Sequence, residues 1–231
     1  MRRLGLIGGL SWESTRLYYE AINRAVVAQL GGVHSSPLIV DSLDFAPIAQ
    51  AQAEGRWDDA GAAIVEAARR LHRAGVEAIA IGSNTMHKCA DAVRDAVPLP
   101  LIHIVDPLRE ALARDRKTRP LLLATRFTME QDYIRAPLAE AGIAASIPAE
   151  ADRAMIHRII YTELIRGVIS EPSREAFLAI ITKGRDAGAD SVILGCTEIG
   201  LLVNANNSPL PAYDTMALHA AAIGDFILYG V

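Results

Sequence analysis

Short runs of β-branched residues and leucine alternate along the chain with longer alanine-rich segments, and this alternation predicts βα units built on a parallel sheet. Strands are expected at residues 4–7, 37–41, 78–82, 101–104, 121–124, 144–147, 191–195 and 211–213. Segments 57–74 and 156–169 place apolar residues three and four apart, and segment 173–187 runs up to Gly188, so helices are expected there.

The pattern also repeats internally. Ala-Ile-Ala-Ile-Gly-Ser-Asn-Thr at 78–85 is echoed by Ser-Val-Ile-Leu-Gly-Cys-Thr-Glu at 191–198, a buried strand running into glycine and then into Ser83 or Cys196. Pro98-Leu99-Pro100 follows the first copy and Pro209-Leu210-Pro211 the second. The economical account is an α/β protein of two pseudo-symmetric domains, each a mainly parallel sheet flanked by helices. Residues 1–100 with 214–231 would form the first and 101–213 the second. Ligands of open parallel sheets lie beyond the carboxyl ends of the strands, where both Ser83 and Cys196 fall.

Composition narrows the function. The 231 residues are 51% hydrophobic and 22% charged with a net charge of -4, without the basic excess that nucleic acid attracts. The apolar run after Arg2 and Arg3 stops at Gly8-Gly9, too soon for a signal peptide, and no stretch approaches the ~20 apolar residues that cross a bilayer. The expectation is a cytoplasmic protein with a small-molecule substrate and neither nucleic acid nor membrane as partner. Two cysteines do not make a disulfide framework. The six histidines and two cysteines show no zinc-binding spacing, so no metal is expected. No G-x-S-x-G elbow supports a serine hydrolase, and no G-x-G-x-x-G supports a dinucleotide cofactor.

Four motifs carry polar side chains at strand-to-helix turns. Gly8-Gly9-Leu10-Ser11-Trp12-Glu13-Ser14-Thr15 permits a sharp turn, with hydroxyls and N–H groups that either cap a helix or meet an anion. Ser83-Asn84-Thr85-Met86-His87-Lys88 gathers three hydrogen-bonding side chains able to hold a carboxylate without positive charge, and His87 reads equally as acid/base partner or helix-surface residue. Cys89 reads as a small buried thiol. In Gly195-Cys196-Thr197-Glu198 a thiol at a strand end, ahead of an expected helix N-terminus, should have a lowered pKa, and Glu198 could orient it or exchange its proton. Ala124-Thr125-Arg126-Phe127-Thr128, with Glu130, reads either as helix capping by Thr128 or as a second anion-holding cluster.

Taken together and in this order, these motifs resemble the aspartate/glutamate racemase family over nearly the whole chain. The resemblance implies an active site in the cleft between two pseudo-symmetric domains, no pyridoxal phosphate or other cofactor, and a homodimer. It implies PLP-independent racemisation of aspartate or glutamate, with Cys196 removing the α-proton and a proton returning from the Ser83 face. Leu10, Ser11, Gln52, Asn84, Thr85, Thr125, Thr128, Thr197 and Glu198 would bind the substrate.

Two departures stand out. Typical members carry cysteine at both catalytic positions, whereas this chain has Ser83 at the first, as in relatives with a hydroxyl there or as in an engineered Cys→Ser variant. Many aspartate-specific members use an Arg near position 48 and a Lys near position 165, where this chain has Ile48 and Ile165, leaving Gln52 and Arg166 to compensate. Alternatives to racemisation are a single-thiol decarboxylase, a dicarboxylate isomerase or a catalytically silent binder of acidic amino acids.

Overall fold

The structure is a computed structural model describing residues 1–231. It is an α/β protein with two parallel sheets. Contacts divide the chain into Met1–His103 with His219–Val231, and Ile104–Leu218.

In the first unit, β1 (Leu4–Gly8), β2 (Leu38–Ser42), β3 (Ala78–Ile81) and β4 (Leu101–Ile102) form a parallel sheet in the order β2-β1-β3-β4. Every residue of β1 and β3 is buried, as expected of central parallel strands covered on both faces, while edge strand β2 is half-buried. Helices α1 (Trp12–Leu30), α2 (Phe45–Ala53), α3 (Trp57–Arg73) and α4 (Ala90–Ala96) connect them. Helix α3 buries Ala60, Ile64, Ala67, Ala68 and Leu71, the apolar stripe of a 3.6-residue period.

The second unit has β5 (Pro120–Ala124), β6 (Ser191–Gly195) and β7 (Ala212–Asp214) in that order, again parallel, with α5 (Val105–Arg114), α6 (Arg126–Glu130), α7 (Asp132–Glu140), α8 (Glu150–Thr162) and α9 (Glu171–Asp186). The final helix α10 (Thr215–Tyr229) starts in this unit and contributes from His219 onward to the first. The internal echo corresponds to matching places in the two sheets. Strand β3 lies beside β1 as β6 lies beside β5, with Ile7 paired to Ile81 and Ala124 to Gly195.

Several expected elements differ. Residues 144–147 do not form a strand: Ser146 alone bridges Leu121, exchanging hydrogen bonds with Pro120 and Leu122, because left-handed Gly142 and Pro148 bound the extended stretch closely. The helix expected at 156–169 is α8, which begins earlier with the acidic first turn Glu150 and Asp152. It ends earlier too, because Gly167 in a left-handed conformation closes a 3-10 turn over Leu164–Arg166. Strand β4 pairs with β3, so Leu101 and Ile102 join the first unit and not the second, as a boundary at 100/101 implied. Residues 214–218, expected in the first unit, fall in the second.

A buried imidazole cluster closes the first unit. His219 of α10 donates from Nε2 to the Ile102 carbonyl at 2.8 Å and accepts at Nδ1 from the Tyr18 hydroxyl at 2.8 Å, a pairing met by one neutral tautomer. The His87 ring stands edge-on to His103 and His219, with centroids 4.6 and 5.6 Å away. Burial pushes the His219 pKa down to about 4 from an ordinary 6.5, opposed by the Ile102 carbonyl, and burial likewise holds His87 well below its usual range.

Because folding depresses the His219 pKa, its contribution to stability is present in full above pH 6.5 and is lost as pH falls toward 4, the unfolded chain binding a proton that the folded one refuses. At about 1.4 kcal/mol per unit of pKa, that loss is on the order of 3 kcal/mol. Denaturant unfolding of the protein between these pH values should show the decline, and His219→Gln should flatten it. Equal slopes in the two proteins would count against the account.

Candidate active site

At the carboxyl end of β3 the chain turns through Gly82, Ser83 and Asn84 into a 3-10 turn over Thr85–Cys89. Three neighbours hold this turn. Ser14 of α1 donates its hydroxyl hydrogen to the Gly82 carbonyl at 2.9 Å, and His87 donates from Nδ1 to the Ser83 carbonyl at 2.7 Å. Gln52 of α2 donates from Nε2 to the Met86 sulfur at 3.0 Å. The Ser83 hydroxyl accepts a long 3.4 Å bond from the Met86 N–H. His87 is therefore neither a surface residue nor a charged acid; it is a buried neutral imidazole that fixes the Ser83 backbone.

Asn84 stands apart. It is 4% exposed, and neither its Oδ1 nor its Nδ2 has a hydrogen-bond partner. A buried amide with nothing to bond costs about 1–3 kcal/mol per polar group, a cost seldom retained without a use.

The Gly-Gly loop next to this turn is built by close approach. Gly9 has φ +75, and a Cβ there would lie 2.1 Å from the Leu43 carbonyl oxygen, so only glycine fits. Thr15 accepts from the Gly9 N–H at 2.7 Å and donates to the Ser11 carbonyl, while Ser11 caps α1 by accepting from the Ser14 N–H at 3.1 Å. Leu10 is buried in the same apolar core as Ile48, and the hydroxyls of Ser11 and Thr15 are engaged in the turn.

In the second unit β6 ends at Gly195, where a Cβ would press on Leu122 at 2.8 Å and Ala124 at 3.1 Å. Glycine thus lets β6 lie tight on β5, and the pairing of Ala124 with Gly195 sets Thr125 next to Cys196 in the register. The Cys196 thiol donates to Glu198 Oε2 at 3.1 Å, and the Thr197 hydroxyl donates to the same oxygen. All three residues are buried. The expected lowering of the thiol pKa is not met. Burial, then the Glu198 carboxylate and Asp214, push it well above its ordinary value, and the segment ahead is a three-residue 3-10 turn, Ile199–Leu201, in place of a full helix with its dipole.

Thr125, not Thr128, is the N-cap of α6, accepting from the Thr128 N–H at 3.4 Å; Glu130 pairs with Arg153 at 2.9 Å instead of completing a capping box. A hydroxyl chain runs from Thr125 through Thr128 at 3.2 Å to Tyr133 at 2.7 Å. The phenol pKa of Tyr161 on α8 is raised by burial and then by Cys196 and Glu198, and its ring lies tilted against His157 with centroids 4.6 Å apart.

Tyr133, His157 and Tyr161 were not among the site residues expected from the sequence. The i, i+4 spacing of His157 and Tyr161 on a predicted helix was the available signal. Ile48 is core and Arg166 is exposed.

The model of the Asp/Glu/Hydantoin racemase family matches residues 7–223. A crystal structure from Yersinia pestis is 47% identical, covers 99% of this chain and 100% of its own, and superposes with a TM-score of 0.90. PH1733, an aspartate racemase homologue from Pyrococcus horikoshii OT3, is 29% identical over 99% of this chain and 100% of its own, with a TM-score of 0.85. A glutamate racemase from Roseiflexus sp. (strain RS-1) is 27% identical over 64% of this chain, a match spanning 53%, or about half, of the relative's length. With a family model extending over nearly its full length and the polar strand ends in equivalent places of its two sheets, the chain belongs to the Asp/Glu/Hydantoin racemase family.

Proposed function

We propose that the protein inverts the α-carbon of an amino acid without pyridoxal phosphate, Cys196 exchanging the α-proton on one face and Ser83 on the other. Family membership supports the reaction class. The matching positions of Ser83 after β3 and Cys196 after β6 support the assignment of the two residues. Aspartate and glutamate are the proposed substrates, by analogy with the relatives. Gln52 would supply the uncharged hydrogen bonds left to a side-chain carboxylate.

The observation that carries the reading is the unpaired amide of Asn84. A carboxylate accepting from Nδ2, or an ammonium donating to Oδ1, would satisfy a group that no other group of the protein bonds. Thr85, Thr125, Thr128 and Thr197 would add fixed donors where charge develops on the α-carboxylate as the proton leaves. A serine hydroxyl is a far weaker acid than a thiol and a poor resting base, so α-proton exchange should be faster from the L-enantiomer, on the Cys196 face, than from the D-enantiomer, on the Ser83 face.

Incubation with each enantiomer of aspartate and glutamate in deuterated water, followed by chiral analysis and mass spectrometry, should reveal deuterium at Cα. Cys196→Ala should abolish it. Ser83→Cys should raise α-proton exchange from the D-enantiomer and inversion in both directions, since a thiol then serves both faces. Exchange that survives Cys196→Ala, or its absence from the wild type with either amino acid, would sink the reading. Asn84→Ala should leave stability unchanged or slightly higher while raising KM about tenfold or more, the value of a charge-assisted hydrogen bond. A loss of stability with KM intact would make Asn84 a structural residue instead.

A further inference from the structure

We propose that His87 is a positioning residue for Ser83 and that His103 and His219 act through it, so that the Ser83 face takes its geometry from the two places where the chain passes between units. The kinetic consequence rests on the racemisation reading; the coupling of the rings to the turn does not.

Two consecutive carbonyls of the turn after β3 are pinned, that of Gly82 by the Ser14 hydroxyl at 2.9 Å and that of Ser83 by His87 Nδ1 at 2.7 Å. The second anchor depends on the attitude of a ring. His87 is 2% exposed, and the rings of His103 and His219 meet it edge-on at 84° and 71°. A buried ring packed against two others cannot turn about its side-chain torsions without moving one of them, so its N–H stays aimed at the carbonyl. His219 is fixed in turn by the Ile102 carbonyl and the Tyr18 hydroxyl. Tyr18 lies one helical turn beyond Ser14 on α1, so that helix holds the turn twice, once through Ser14 and once through Tyr18, His219 and His87. His103 is the last residue of the first unit before the chain enters the second, and His219 is the first on its return. Both crossings therefore end in a ring laid against His87. No group of three histidine, cysteine or acidic side chains is placed to hold a metal ion, so the cluster acts by packing and hydrogen bonding.

Loss of the His87 donor would take a hydrogen bond from the Ser83 carbonyl and let the peptide between Ser83 and Asn84 rotate. That rotation displaces the Ser83 hydroxyl, and a misplacement of about 1 Å costs a reacting group up to about 100-fold. Cys196 follows β6 in the second unit, outside this network. The loss therefore falls on one face. A shift of Asn84 with the same peptide would weaken binding of both enantiomers alike, so the ratio of their rates at saturating substrate isolates Ser83.

The test follows Cα deuterium exchange from each enantiomer of aspartate and glutamate at saturating substrate in wild type, His87→Leu, His87→Asn, His103→Leu and His219→Gln, with circular dichroism to establish folding. His87→Leu should slow exchange from the D-enantiomer about tenfold or more and exchange from the L-enantiomer less than about threefold. His87→Asn, whose amide N–H stands in for Nδ1–H, should restore most of the D-enantiomer rate. His103→Leu and His219→Gln should each slow the D-enantiomer selectively and do nothing further when combined with His87→Leu, the non-additivity of residues acting through another. Equal losses from both enantiomers, no rescue by asparagine, or additive double variants overturn the proposal. Where His87→Leu does not fold, the selective loss is read from His103→Leu, and its absence overturns the proposal. A second readout needs no turnover: the NMR shift of the Ser83 carbonyl carbon, which a hydrogen bond from the imidazole moves downfield. It should move upfield in His87→Leu and return in His87→Asn. An unchanged shift overturns the coupling even if the wild type exchanges no α-proton, whereas absent exchange with a shifted carbonyl overturns the racemase reading alone.

Discussion

A carboxylate withdrawn from water must be met by donors, and in the second unit that requirement falls on Glu198. Leaving such a group unpaired costs several kcal/mol, far more than most side-chain contacts return. Its two predecessors, Cys196 and Thr197, both donate to one oxygen. For three consecutive side chains to meet in this way the chain must turn as soon as β6 ends, and β6 must lie close against β5. Gly195 permits the approach, since any side chain there would strike Leu122 and Ala124. The hydrogen-bonding need of one acid thus reaches back into the packing of the sheet.

The two strand ends consequently differ in electrostatic character. That of the first unit buries no charge: His87 and His219 are held neutral by burial, Lys88 is exposed, and the distinctive group is the Asn84 amide that no protein group bonds. That of the second concentrates acid, with Glu198 against Cys196 and Asp214 close by. Similar backbones carry dissimilar chemistry because the strand and its terminal glycine are shared, whereas the residues immediately after them are not. Ser83-Asn84-Thr85 presents an amide that no protein group bonds, and Cys196-Thr197-Glu198 presents a thiol and a hydroxyl on one carboxylate oxygen.

The alternating sheets were legible because buried parallel strands read as continuous apolar runs, so Ala78–Ile81 and Ser191–Gly195 stand out. Residues 144–147 were expected as a strand too, yet pair at Ser146 alone, between left-handed Gly142 and Pro148. The positions of Ser83 and Cys196 after their strands were legible too. The state of the Cys196 thiol was not, because local sequence suggested a helix dipole whereas the tertiary surroundings supply burial and carboxylates. Tyr161 and the Tyr18–His219 bond escaped notice for a related reason. Each joins segments far apart in sequence, and nothing in either segment announces the other.

That last bond also bears on how the protein comes into being. The first unit is discontinuous: Tyr18 of α1 and the Ile102 carbonyl of β4 both bond His219, and the Arg2 N–H donates to the Ile227 carbonyl. During synthesis the second unit, continuous from Ile104 to Leu218, leaves the ribosome whole, while the first waits for its final helix. Domains usually mature in the order in which they are made. Here the half translated first must be completed last, and its buried histidines remain open to water until the closing residues arrive.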